Sequence, residues 1–179
     1  MRAIRKLERQ RAKPYCFVSY SSRDPHINVL IPCLWIALSR SFDLKLTPSP
    51  LESGADQHAQ IVDLIKDCAF AVVVLDGLRA NVVYEYGLLV AYEKPIILLK
   101  EENATVDIRS LVGETVNLGV AAPTLKVDDH FSDIKGVNYA QWNWLRPADT
   151  IKVIWQEYRK KQSTIAGYVE IEEQGLWVT

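Results

Sequence analysis

Cysteine is scarce in this chain. Cys16, Cys33 and Cys68 are the three in 179 residues, and no two of them form a Cys-x-x-Cys pair. An odd, dispersed set argues against a disulfide framework or a zinc cluster and predicts buried free thiols in a reducing, cytoplasmic compartment. Long hydrophobic runs are missing too. The stretch Ala69 to Leu75 has seven residues, far short of the ~20 needed to cross a bilayer, so no contact with the membrane interior is expected. The chain opens polar and basic, without the apolar core of a secretory leader, and none is expected. There is no G-x-x-x-x-G-K-[ST], no G-x-G-x-x-G after a strand and no G-x-S-x-G. These absences argue against a P-loop nucleotidase, a dinucleotide redox enzyme and a serine hydrolase. His26, His58 and His130 lie far apart and in no metal-ligand pattern, so no metal is expected.

What is present is the composition of one globular domain, 49% apolar and 24% charged. Its length suffices to bury roughly two thirds of the surface that the unfolded chain exposes. The net charge of −1 conceals an asymmetry, because residues 1–14 hold six basic residues against Glu8 and the rest carries the acidic excess. A basic arm over 1–13 is either a solvated end or a segment that touches a partner, an anionic ligand or an acidic neighbouring subunit. The body is not basic, which argues against direct nucleic-acid binding.

From Pro14 the pattern alternates between β-rich runs and helical spacing. Strands are expected at Tyr15 to Tyr20, Phe42 to Thr47, Ala69 to Leu75 and Pro95 to Leu99, with a short fifth one at Leu125 to Val127. Helices fall between them. Asp24 and Pro25 suit an N-cap and first position ahead of Ile27, Leu30, Ile31, Leu34 and Leu38. Pro32 within that stripe predicts a kink or a second helix start. Ile61, Leu64, Ile65 and Cys68 mark the next helix, residues 81–93 a third, and Ile151, Ile154, Trp155 and Tyr158 a last one. The stretch 101–122 reads as irregular. The domain proper spans 14–162, and the tail 163–179 contains an edge-strand candidate, Gly167 to Ile171. Trp142, Trp144 and Trp177 are either core or interface residues. Strict alternation with buried strands means a parallel sheet flanked by helices, with ligands beyond the carboxyl ends of its strands.

That rule directs attention to Ser19 to Asp24, Pro48 to Asp56 and Asp76 to Glu85. Asn81 suits an N-cap, which puts Glu85 just past the first turn of an otherwise apolar helix, where a carboxylate is costly to desolvate. Gly87 weakens that helix by ~1 kcal/mol relative to alanine, a cost that makes sense if something must approach the backbone. Alternatively Glu85 complements the helix dipole or pairs with an arginine, and Asp76 is either a second carboxylate or a turn residue.

Phe17-Val18-Ser19-Tyr20-Ser21-Ser22-Arg23-Asp24 resembles the first strand and loop of Toll/interleukin-receptor (TIR) domains. Glu52-Ser53-Gly54-Ala55 resembles their BB loop. Arg79-x-Asn81-Val82-x-x-Glu85-x-Gly87 resembles the helix of prokaryotic TIR-like effectors that carries the catalytic glutamate. The likeness spans residues 14–160. It departs from the eukaryotic pattern where Arg79 to Tyr84 replace a Ser-x-Trp-Cys element. The ending Leu75-Asp76-Gly77, with Glu85-x-Gly87 and Lys94-Pro95, is similar also to nucleoside 2-deoxyribosyltransferases.

The resemblance implies a flavodoxin-like three-layer α/β sandwich with a five-stranded parallel sheet. It also implies cleavage of the nicotinamide–ribose bond of NAD, as substrate and not cofactor, in a defence or signalling role. Glu85 would be catalytic, with Ser19, Tyr20, Ser21, Asp76, Asn81 and Tyr84 binding substrate. Partners would be NAD or a related nucleotide, with self-association or an activating chain. The alternatives are a nucleoside or nucleotide N-glycosidase or deoxyribosyltransferase, and a non-enzymatic oligomerisation or nucleotide-binding module. Either enzyme needs a carboxylate under a ribose that turns cationic as its base departs. Nicotinamide leaves already cationic and needs no acid, whereas a neutral base does, and Asp76 is the candidate. The enzymatic readings require Glu85 to stand at an open rim; a walled-in carboxylate would leave the scaffold alone.

Overall fold

A computed structural model describes residues 13–22, 24–47, 57–76, 79–102, 105–107, 124–126 and 138–174. Five parallel strands form the main sheet: β1 (Tyr15–Ser19), β2 (Asp43–Thr47), β3 (Phe70–Val74), β4 (Ile96–Glu101) and β7 (Ala140–Trp142), in the order β2-β1-β3-β4-β7. Register is continuous across the centre, with Ser19 level with Val73 and Val73 level with Leu98. β5 (Thr105–Asp107) and β6 (Thr124–Lys126) make a separate antiparallel pair. The helices are α1 (Ile27–Leu38), α2 (Gln57–Asp67), α3 (Ala80–Ala91) and α4 (Pro147–Gln174). This is the expected three-layer α/β sandwich with an all-parallel five-stranded sheet.

Side-chain alternation sorts the core into two layers. Phe70, Val72 and Val74 face α1 and α4, together with Cys16, Val18, Leu99 and Trp142. Ala71, Val73 and Leu75 face α2 and α3, together with Phe17 and Leu98. β3 is buried at every position, as a central strand covered on both faces must be. Each large side chain so buried contributes about 1.5–3 kcal/mol. Cys16, Cys33 and Cys68 are free thiols within these layers, and burial pushes the Cys16 thiol well above its ordinary range. Among the described residues no helix is long and apolar enough to cross a membrane.

Four expectations are corrected. α1 begins at Ile27, not at Pro25, because Asp24 Oδ1 accepts the His26 N–H at 2.8 Å and builds a turn ahead of the helix. Pro32 neither starts a second helix nor interrupts the first. Its ring lies on the exposed side, and burial of Leu30, Cys33, Leu34 and Leu38 holds the helix together despite the missing N–H. The strand near Leu125 pairs with β5, so the fifth strand of the main sheet is β7 instead. Gly167 to Ile171 are helical, being part of α4. Extending a formed helix adds one hydrogen bond per residue, whereas an edge strand would need another chain reversal. Of the stretch 101–122, Glu101 closes β4 and Thr105–Asp107 form β5. The basic arm apart from Lys13, the BB-loop motif and Trp177 lie outside the described residues.

Candidate functional site

The carboxyl ends of β1, β3, β4 and β7 share one edge of the sheet, and strand parity decides what each contributes. Ser19 has the parity of Phe17 and so faces α2 and α3. Glu85, in the second turn of α3, meets it there, and the Ser19 hydroxyl donates a hydrogen bond to Glu85 Oε2. Both are buried, Ser19 completely and Glu85 to 2% exposure. The carboxylate does not stand open at the rim. Val82 and Leu89 on the same side of α3 press into the core and draw Glu85 in with them.

Asp76 continues the parity of Val72 and Val74 and therefore faces the other way. Its Oδ1 accepts the Glu101 N–H at 2.6 Å and its Oδ2 accepts the Trp142 indole N–H at 2.8 Å. Burial is the largest influence on this carboxyl and pushes it from 3.8 up to about 7. The Glu101 N–H bond opposes that rise, the charges of Asp24 and Glu101 reinforce it, and the Trp142 bond opposes it. The two carboxylates thus find partners on opposite sides of β3: Ser19 of β1 for Glu85, Glu101 of β4 for Asp76.

The remaining substrate-binding candidates scatter. Tyr20 is half-buried against the α1 and α4 layer, where burial raises its phenol. Ser21 is buried, and its carbonyl accepts the Asp24 N–H at 3.1 Å. Asn81 is not the N-cap of α3. Arg79 holds that place in an extended conformation without a side-chain cap, and Asn81 is exposed in the first turn. Tyr84 is 44% exposed, and its hydroxyl is hydrogen-bonded to Nε2 of His58 on α2. Ser19 and Glu85 therefore come together; Asn81 and Tyr84 share their helix but point outward; Asp76 and Tyr20 belong to the opposite face. Gly87 is exposed, and a β-carbon placed on it would meet no atom of the described residues outside its own helix backbone and chain neighbours within 4 Å.

Sequence reasoning missed His58 and the joint that Asp76 makes with Glu101 and Trp142. Parity along β3 was the signal available for that joint. A cleft of about 300 Å³ lies beside β7 and the start of α4, lined by Glu102, Asn143, Arg146 and Thr150 among others, and away from Glu85. Its polar groups satisfy one another: Arg146 and Asn143 both donate to Glu102, and the Thr150 hydroxyl to the Asn143 carbonyl. Among the described residues no three His, Cys, Asp or Glu side chains are arranged to hold a metal ion.

No protein-family model matches the chain, and no curated protein does. Among solved structures, its fold is similar to the TIR domains of the activated Roq1 resistosome, which directly recognises the pathogen effector XopQ. The TM-score is 0.54 at 14% identity, over 80% of this chain and 98% of that one. A likeness at that identity establishes a TIR-like fold, and it does not extend to the deoxyribosyltransferases.

Proposed function

We propose that this chain is a TIR-type module that hydrolyses the nicotinamide–ribose bond of NAD, with Glu85 as the catalytic carboxylate and Ser19 as the residue that orients it. One observation carries the reading: a buried serine and a buried glutamate meet at the carboxyl edge of a parallel sheet, where such folds bind ligands. Burying a carboxylate costs stability that an apolar residue would spare, so its presence there fits a chemical task. In a dry site the charge acts at full strength on a ribose ring that turns cationic as nicotinamide departs.

The partition across β3 favours NAD over a neutral nucleoside. A neutral base must be protonated as it leaves, and Asp76, the acid candidate, is engaged on the far face of the sheet. Nicotinamide departs from NAD without that help. At 2% exposure Glu85 is walled in, against the open rim that the enzymatic readings require, so the glycohydrolase reading holds only if a rearrangement uncovers the carboxylate for the sugar.

The same burial favours a second reading, in which the module assembles with other chains and turns nothing over. Nicotinamide release decides between them, measured over a range of protein concentrations for the native chain and for Glu85→Gln. Release by the native protein that the substitution abolishes supports the glycohydrolase. No release at any concentration, with a folded protein, leaves the scaffold reading. Release that survives the substitution removes Glu85 from the chemistry.

A further inference from the structure

Two consecutive residues of α3 reach toward α2 at different depths. Glu85 reaches Ser19 of β1, the strand whose Tyr15 hydroxyl donates to the Leu64 carbonyl of α2 at 2.7 Å. Tyr84 reaches α2 itself, and its hydroxyl is hydrogen-bonded to Nε2 of His58. Parallel strands oblige their connecting helices to run back from the carboxyl edge. His58 in the first turn of α2 and Tyr84 in the second turn of α3 therefore both stand at that edge. The furrow between the two helices is crossed twice there, by a buried bond at its floor and an exposed one at its mouth. Ser19 and Glu85 are 0% and 2% exposed, whereas Tyr84 is 44% exposed. Further along, Ile61, Leu64 and Ile65 of α2 and Val82 and Leu89 of α3 fill the layer with apolar side chains.

We propose that the Tyr84–His58 hydrogen bond is a latch, holding α2 against α3 and closing the furrow through which a ribose reaches Glu85. The proposal rests on the reading of Glu85 as the catalytic carboxylate and names the contact that keeps it enclosed. The contact is suited to give way. It joins two exposed side chains, and its net contribution is small because water can replace either partner. The two rings, 5.8 Å apart and tilted by 40°, are not stacked, so the hydrogen bond defines the contact. A phenol donates to a neutral imidazole nitrogen and accepts from a protonated one, so the bond forms in either state and a change of pH does not release it. A group that offers Tyr84 or His58 another hydrogen-bond partner does. Loss of one such bond shifts the open fraction about two- to tenfold.

Carboxyl labelling with a water-soluble carbodiimide and an amine, read by mass spectrometry, measures the exposure of Glu85 without reference to activity. His58→Ala and Tyr84→Phe should each raise Glu85 labelling about two- to tenfold. The double variant should raise it no further, because the two side chains are the ends of one bond. Asp76, buried on the other side of β3, should label as in the native chain, since unfolding would expose both carboxyls and an open latch exposes Glu85 alone. Nicotinamide release by each variant should rise with the labelling. Unchanged Glu85 labelling overturns the latch, as do single effects that add in the double variant or an equal rise at Asp76. Glu85 labelling that rises with no nicotinamide release from any variant upholds the latch and removes the glycohydrolase reading instead.

Discussion

The Asp76 carboxyl should contribute a stability that falls as pH rises from acid to neutral. Its carboxyl loses its proton near 3.8 when exposed in the unfolded chain, and near 7 when enclosed by Glu101 and Trp142. Between those values the unfolded state binds fewer protons than the folded one, so each step up in pH favours unfolding. The contribution is fully present below pH 3.8 and lost as pH rises through 7. At ~1.36 kcal/mol per pKa unit, a rise of about three units corresponds to about 4 kcal/mol. Asp76→Asn isolates this effect because the amide does not titrate. Its oxygen can still accept the Glu101 N–H, but its NH2 then faces the Trp142 indole N–H, and that lost hydrogen bond costs ~1–3 kcal/mol at every pH. Urea unfolding of both proteins at pH 4 to 8 should show the variant less stable at pH 4. The gap should close by about 4 kcal/mol, or reverse, at pH 8. A gap that stays constant, or widens with pH, would mean that Asp76 is ionised in the fold, and the reasoning fails.

Other substitutions test separate joints. Ser19→Ala removes a buried donor to the Glu85 carboxylate and should cost ~1–3 kcal/mol in urea unfolding, with nicotinamide release reduced as well if the glycohydrolase reading holds. Gly87→Ala should stabilise the protein by about 1 kcal/mol, seen as a higher Tm; a lower one would reveal crowding at a position where none is found among the described residues. Pro32→Ala should restore a donor to the Asn28 carbonyl in mid-helix and raise stability by about 2 kcal/mol. An unchanged urea midpoint would show that α1 bears no strain at that point.

The alternation of buried strands and striped helices made the layered sheet legible, and the motif around Glu85 falls at the carboxyl edge of that sheet. Ser19 and Glu85, 66 positions apart, are both site candidates by sequence and meet in the fold. The departures have local causes. Asp24 and Asn81 both have the chemistry of a helix cap, yet Asp24 closes a turn ahead of α1 and Asn81 sits inside α3, two residues past Arg79 at its N-cap. β7 escaped notice because three residues, Ala140 to Trp142, are too few to show a period. The burial of Glu85 was hidden for a different reason. Exposure depends on how deeply α3 settles onto the sheet, and the apolar residues that drive this, Val82 and Leu89, flank the very carboxylate that was expected to stay outside.

A feature of β3 constrains how this chain can change over time. Every position from Phe70 to Leu75 is apolar and buried, so hydrophobicity alone would tolerate losing or gaining one residue there. Alternation would not. A single deletion would turn Asp76 toward the compartment of Ser19 and Glu85, set two carboxylates side by side, and strip Trp142 of its acceptor. The strand acts as a frame counter: a conservative exchange among Val72, Val73 and Val74 keeps every side chain in its own compartment at a packing cost of about 0.5–3 kcal/mol, while a length change of one residue misplaces all that follows.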